Sequence, residues 1–549
     1  MNHIELFAGC GGLGLGLESV EFELVMANEL SPMAAETFAY NFLDENLRAM
    51  ADVEKGGGLP KRTKWLSSQF PKSNLHNRLR ENPHEFPPYA EGESDINGPE
   101  DLDGALVVGS IVELNRFLEA APECRDALQS SFGRGGLDLV SGGPPCQSFS
   151  LAGLRQRTNQ RNSLPWEMAK FVELTQPKFA LLENVTGILR AFKEEGQEFH
   201  AWFEVAKAFA VVGYVPLCLH VNAKLAGVAQ NRPRFIMLAT RADIYDELVP
   251  TFSAVERDLF LPSHQFYLNI TQGQPVSFGD ISYFDADKPQ HYELYEQSFL
   301  RPLVAYRDSV RTVRDAIDDL KIHAPDLPSE YVRQINRMFT PFIPEHDMEN
   351  HEMRKNGEHV KRRFRIYQML QKVSRSDERI VKALLKGERE ALPADVAERV
   401  MGFDFLSVAG EYVFFGSQIE LENYLKAHGT KKQTQKALTA DSPAPAALSI
   451  PDDACHYDHD ELRTLSVREM ARIQSFPDGF AFRSKVTTGG QMRKYEVPQY
   501  TQVGNAVPPL LGRALGEAVG NLLKRLNVKE LRDERSMAEP LVYADTKHT

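Results

Sequence analysis

Cysteine is scarce in this chain. There are five in 549 residues, Cys10, Cys124, Cys146, Cys218 and Cys455, an odd number at wide intervals. No Cys-x-x-Cys pair occurs, so neither a disulfide framework nor a zinc site is expected. Such usage fits a reducing, cytoplasmic setting, where one thiol can serve as a nucleophile. Long hydrophobic runs are also missing. No stretch of 18 apolar residues is present, which leaves no membrane span to expect. The opening residues lack the basic and apolar regions of a signal peptide. A surplus of positive charge is missing too: 63 basic against 76 acidic residues give a net charge of −13. Taken alone, that argues mildly against a nucleic-acid partner, whose phosphates call for Lys and Arg.

The chain does hold the rhythm of a doubly wound α/β sheet. Residues 3–8 read as a buried strand, Gly9–Gly16 as a glycine-rich turn opening a helix, 24–28 as a second strand, and 33–42 as a helix. Residues 52–104 interrupt this rhythm with Gly56-Gly57-Gly58, several prolines and, over 91–103, six acids without a base. They read as an insertion, partly mobile. Short apolar segments resume at 106–108, 137–141, 179–183, 215–221 and 234–239. From about 241 to 460 the pattern is lost, apart from a helical piece at 359–386, and a second domain is expected there. Residues 429–453 read as linker. A helix restarts at Ser466, where Ser466 and Glu469 form a capping-box pattern. The last α/β-like piece is 500–525. Residues 351–382 carry ten Lys/Arg against four acids, and on charge alone a solvated helix face and a binding surface remain equally open.

Several motifs sit at strand ends, where open α/β sheets bind ligands. Phe7-Ala8-Gly9-Cys10-Gly11-Gly12 follows the first strand, and Glu29 follows the second, about 20 residues on, where a carboxylate can take ribose hydroxyls. From this turn alone a nicotinamide or flavin enzyme is possible, as is a turn whose glycines serve only packing. Gly142-Gly143-Pro144-Pro145-Cys146-Gln147 follows the strand at 137–141. Two prolines stiffen the approach to Cys146, as suits a thiolate that must hold position. The next segment, Leu151–Asn162, has Arg155, Arg157 and Arg161 without an acid and reads as a mobile basic loop able to close over phosphates. Glu183-Asn184-Val185 ends another strand. Arg232 and Arg234, two apart, can face one side of an extended chain, one orienting Glu183 and the other binding a base edge or phosphate.

Taken in order, Phe7–Gly12, Pro144–Gln147, Glu183–Val185, Gln230–Arg234, Arg468–Pro477 and Gln502–Pro509 resemble the motifs of the DNA cytosine-C5 methyltransferases. The resemblance covers about 2–50, 105–240 and 460–525. It implies a Rossmann-like S-adenosylmethionine-dependent catalytic domain over 1–240, with 52–104 inserted, a smaller target-recognition domain over 241–460, a return to the catalytic domain over 461–525, and a tail over 526–549. Cys146 then is the nucleophile. Glu183 hydrogen-bonds the cytosine N3 and amine, for which it must carry a proton. Arg234 contacts the base O2, and Arg232 braces the site. Phe7, Gly9 and Gly11 hold S-adenosylmethionine, with Glu29 on the ribose and Ser110 and Ile111 by the adenine. Pro145, Leu164 and Asn505 complete the pocket. Asn505 comes from the far end of the chain, so the C-terminal helix must fold back beside the first turn. Double-stranded DNA is the implied partner, its target base flipped out of the stack, and a restriction endonuclease of the same system is a further one. A monomer and no metal are expected.

Two departures stand out. Gly109-Ser110-Ile111 replaces the family's common Gly-Asp-Ile, and Leu30 stands where an aromatic residue often follows the ribose-binding acid. Two relatives share these motifs. The tRNA cytosine methyltransferases carry a Cys-Phe-Thr tripeptide, which this chain lacks. Non-catalytic DNA-binding relatives lose the nucleophile or the glutamate, both kept here.

Overall fold

The computed structural model describes residues 1–52, 57–145, 163–194, 197–324, 327–429, 435–446 and 448–538. Cys146 and the Leu151–Asn162 loop lie outside these residues. Nine strands form one sheet: β1 (Asn2–Leu6), β2 (Glu23–Glu29), β3 (Thr63–Trp65), β4 (Ala105–Val108), β5 (Leu139–Gly142), β6 (Phe179–Val185), β7 (Tyr214–Asn222), β8 (Pro233–Arg241) and β9 (Tyr283–Asp285). Their order is β9-β7-β8-β6-β5-β1-β2-β4-β3. Every pairing is parallel except those of β8, which runs against both β6 and β7.

Parallel strands buried on both faces read as continuous apolar runs, and these do. Along β6, Phe179 and Leu181 enter one core while Ala180 and Leu182 enter the other. The first core holds α1 (Gly12–Glu18) and the first half of the last helix. The second holds α3 (Ile111–Ala120), α4 (Leu164–Thr175) and α5 (Ala201–Val211). A further cluster packs α2 (Pro32–Phe42) beside Trp65 and Val108. This is the expected doubly wound α/β class.

The expected strand at 3–8 stops at Leu6, because Phe7 turns to a φ of 54°. Two three-residue strands, β3 and β9, escaped the sequence pattern, since each is too short to show a period of its own. Each takes its register from the strand beside it, β3 from β4 and β9 from β7. Between α6 (Ala254–Thr271) and β9 the chain thus still packs on the sheet. The expected helix at 359–386 is two, α7 (Glu358–Leu370) and α8 (Arg375–Leu385). The break falls where the Ser374 hydroxyl accepts from the Asp377 N–H and so caps α8.

With α9 (Ala394–Met401) and α10 (Gln418–Ala427), these helices enclose a cluster of their own, built on Phe364, Met369, Val381, Leu384, Val400 and Leu421. The capping box predicted at Ser466 is present at the start of α11 (Val467–Ile473). Ser466 Oγ accepts from Glu469 N at 3.1 Å, and Ser466 N donates to the Glu469 carboxylate at 2.8 Å. Two helices follow, α12 (Gln499–Asn505) and α13 (Pro509–Ala538). Among the described residues no helix is long and apolar enough to cross a membrane.

Candidate active site

The first turn is built on left-handed backbone at Phe7, Gly9 and Gly11, with φ of 54°, 58° and 90°. Only Gly9 faces open space: a Cβ there would meet nothing nearer than 4.0 Å. The other glycines serve packing. A Cβ on Gly11 would lie 2.2 Å from the Phe42 ring, on Gly12 2.3 Å from the Val507 carbonyl, and on Gly16 2.4 Å from the Arg513 nitrogen. Gly14 yields its space to the carboxyl of Glu5, whose oxygen would stand 2.4 Å from a Cβ. Glu5 is fully buried, and burial with the nearby Glu18 and Glu29 charges pushes its pKa up to about 8, against the opposing Gly14 hydrogen bond.

Glu29, at the end of β2, accepts from Gly9 N at 2.8 Å and Ser31 N at 2.7 Å, one with each oxygen. Burial raises its pKa while these N–H groups oppose the shift. Each oxygen keeps a second lone pair for a hydroxyl. Ser110 lies past β4 on the same edge. Its hydroxyl accepts from Val112 N at 3.2 Å and so caps α3. Ile111 is only 3% exposed and packs into the core behind the turn. Leu164 starts α4 and is half-buried, and Asn505 ends α12 and is exposed. The C-terminal helices do fold back onto the first turn: Cys10 Sγ lies 3.7 Å from the Gln502 carbonyl, and α13 packs on α1 through Gly16 and Gly512.

The second group of residues gathers at the ends of β5, β6 and β8. Glu183 and Arg234 form a buried ion pair, Oε1 to Nε 2.6 Å. Asn184 Nδ2 donates to the Pro144 carbonyl at 3.0 Å. A Cβ on Gly143 would stand 3.0 Å from Glu183 Oε2. The Gly143–Pro145 approach therefore runs past the Glu183 carboxyl, with Pro144 buried and Pro145 exposed. Arg232 turns elsewhere. Its Nη2 donates to the carbonyls of Gly504 and Ala506, both at 2.9 Å, the residues on either side of Asn505. Burial, and then the neighbouring Arg234, press its pKa well below the usual guanidinium value.

Sequence reasoning missed Asn184 as the tie to Pro144, although it stood within the quoted Glu-Asn-Val motif. It also missed Gln502, whose amide takes the Thr37 hydroxyl at 2.6 Å and donates to the Met33 and Arg483 carbonyls. The Arg468–Pro477 motif is a brace: Arg468 is fully buried and donates to the carbonyls of Glu349, Pro477 and Phe480. The four described cysteines, Cys10, Cys124, Cys218 and Cys455, are all buried. Burial raises each thiol pKa, that of Cys124 to about 11.

A doubly wound sheet with a glycine turn and a half-buried acid at one set of strand ends, and a Glu–Arg pair at the next, has the layout of a nucleotide-type cofactor beside a reacting group. The chain belongs to the C-5 cytosine-specific DNA methylase family, whose model matches residues 1–71 and 123–521. It is a DNA (cytosine-5-)-methyltransferase. Among its relatives is the type II methyltransferase M.DdeI of Desulfomicrobium norvegicum, 23% identical over 96% of this chain and 90% of that one. M1.HphI of Haemophilus parahaemolyticus is 24% identical over 94% and 86%. M.AgeI of Thalassovita gelatinovora is 27% identical over 70% and 83%.

Proposed function

We propose that this enzyme methylates C5 of a cytosine flipped out of a specific double-stranded DNA sequence, through a covalent adduct between Cys146 Sγ and C6. The observation that supports the reading is the Glu183–Arg234 pair set beside Gly143, at the start of the Gly-Pro-Pro segment that precedes Cys146 in sequence. Stacking shields C5 and C6 in the duplex, so the base must leave it. The Cys146 thiolate adds to C6, and the displaced electron pair makes C5 nucleophilic. Glu183, carrying a proton, donates to N3 and accepts from the exocyclic amine, and Arg234 takes O2. Once C5 has taken the methyl group, loss of the C5 proton and expulsion of Cys146 restore the ring.

Phe7, Gly9, Gly11, Glu29, Ser110, Ile111, Pro145, Leu164 and Asn505 fit S-adenosylmethionine. The half-buried Glu29 carboxylate suits ribose hydroxyls, and open backbone at Gly9 lets a ligand approach. When bound, that group supplies an electrophilic methyl. Arg232 braces Asn505.

The catalytic domain comprises 1–240 and 461–525, joined by the α6–β9 stretch that packs on its sheet, with target recognition in the rest of 241–460. There the separate core around α7–α10 carries Arg354, Lys355, Lys372, Arg375 and Arg379 exposed. Arg365 and Lys382, of the same basic segment, are turned to Asp404 and Glu378 instead. The likeness to type II methyltransferases supports a restriction-modification or solitary modification role, with a cognate endonuclease as its companion. The test is duplex DNA carrying 5-fluorocytosine, in which fluorine blocks proton loss. A covalent complex is expected, lost in Cys146→Ser. Methylation by Cys146→Ser at the wild-type rate would sink the reading.

A further inference from the structure

The family pattern stops at residue 71 and resumes at 123. The intervening stretch, with the strand that leads into it, forms a built structure at the sheet edge. Inside it lies an ion pair taken fully out of water: Arg78 Nη1 donates to Asp95 Oδ2 at 2.7 Å, each side chain 1% exposed. The same Asp95 oxygen accepts from Trp65 N at 3.0 Å, and Asp95 N donates back to the Trp65 carbonyl at 2.9 Å. Arg78 Nε donates to the Phe70 carbonyl and its guanidinium lies over the Trp65 ring. A buried pair of this kind contributes little net stability, but removing one partner leaves an uncompensated buried charge and is strongly destabilising. It therefore fixes geometry.

What it fixes is the end of β3 and the residues after it. Leu66, 1% exposed, donates its N–H to the Val108 carbonyl and lies so close to Gly109 that a Cβ there would stand 2.8 Å from the Leu66 Cβ. Gly109 N in turn donates to the carbonyl of Glu29 at 3.0 Å. One turn along, Tyr89 N donates to Glu113 on α3 at 3.1 Å, and its ring meets Phe117 edge-on. Farther out, His84 meets Tyr495 edge-on at 5.9 Å, four residues before α12 begins.

We propose that the segment at 57–104 is the outer wall of the cofactor pocket, with Leu66 and Tyr89 as positioning residues that hold Gly109–Ser110–Ile111 at the adenine. The wall stands in for the fixed anchor that the Gly-Asp-Ile form would supply, since the Ser110 hydroxyl is engaged in capping α3. This rests on the cofactor reading given above.

The test is titration of the full chain with S-adenosylhomocysteine. Leu66→Ala raises the Kd about tenfold, while the Kd for duplex DNA and kcat at saturating cofactor stay within twofold. Leu66→Met, which keeps the volume, restores binding. Arg78→Met shows the same selective loss, and Tyr89→Ala carries the test where Arg78→Met fails to fold. Glu29→Ala separates the two readings. If it weakens binding while folded Leu66→Ala and Tyr89→Ala bind as wild type, the wall is overturned and the cofactor site stands. If none of the three weakens binding, the site falls and the wall with it.

Discussion

The Arg232 guanidinium spans 272 residues of sequence to hold both peptides around Asn505, and so ties the start of β8 to the end of α12. Hydrogen bonds from a charged donor are each worth about 1.5–3 kcal/mol. Arg232→Ala is expected to lower stability by about 2–3 kcal/mol and to weaken S-adenosylhomocysteine binding. Arg234→Ala spares that binding and lowers methylation instead. Calorimetry on both variants, scored beside kcat, checks the division. The thiols give a second expectation. With four cysteines buried, brief iodoacetamide treatment of the native enzyme should label Cys146 alone, with loss of activity in step. Mass spectrometry of the labelled peptides reads this directly, and label on Cys10 or Cys455 at equal rate would count against it.

At the scale of elements, β1 carries two buried titratable groups, both turned away from the core side taken by Ile4 and Leu6. Burial lowers the His3 pKa to about 3 and raises that of Glu5 to about 8. Their effects on stability run in opposite senses. A raised carboxyl stabilises fully below its unfolded value near 4.5 and ceases to do so as pH rises through about 8. A lowered imidazole stabilises above 6.5, and that contribution is lost as pH falls toward about 3. Glu5→Gln should therefore flatten the decline of Tm between pH 5 and 8, and His3→Gln should flatten the decline below pH 6.

The α7–α8 pair offers a further check. Arg375→Ala with Arg379→Ala is expected to lower DNA affinity and to reduce the salt slope by about two, as for two phosphates released. An unchanged slope would assign these cations to the solvated face that the charge pattern also allowed.

The ends of β5, β6 and β8 were legible because long strands have a period and Gly-Pro-Pro and Glu-Asn-Val fall where the period stops. Arg232's partners were not, because nothing local in Gln-Asn-Arg-Pro-Arg encodes a contact with Gly504. Nor was β3 legible, since three residues among prolines and charges take their conformation from the Val108 edge rather than from their own propensity. The first turn was half legible: its glycines marked a close approach, but for Gly11, Gly12 and Gly16 the approaching group is Phe42 and the 507–513 segment.

Across the whole molecule, the two ends of the chain make one surface. Gly16 lies on Arg513, Gly512 on the Leu13 carbonyl, and Gly520 beside Met1. Contacts this distant in sequence form late and slow the folding of the chain. On the ribosome, strands β1 and β2 emerge long before the 502–513 segment that covers the first turn. Translation arrested before residue 500 should therefore give nascent chains that fail to retain S-adenosylhomocysteine, whereas release of the finished chain restores retention. A gene newly expressed would then begin to modify DNA only once the 502–513 segment has been made and has docked, so the delay before the first methylation is set by synthesis as well as by catalysis.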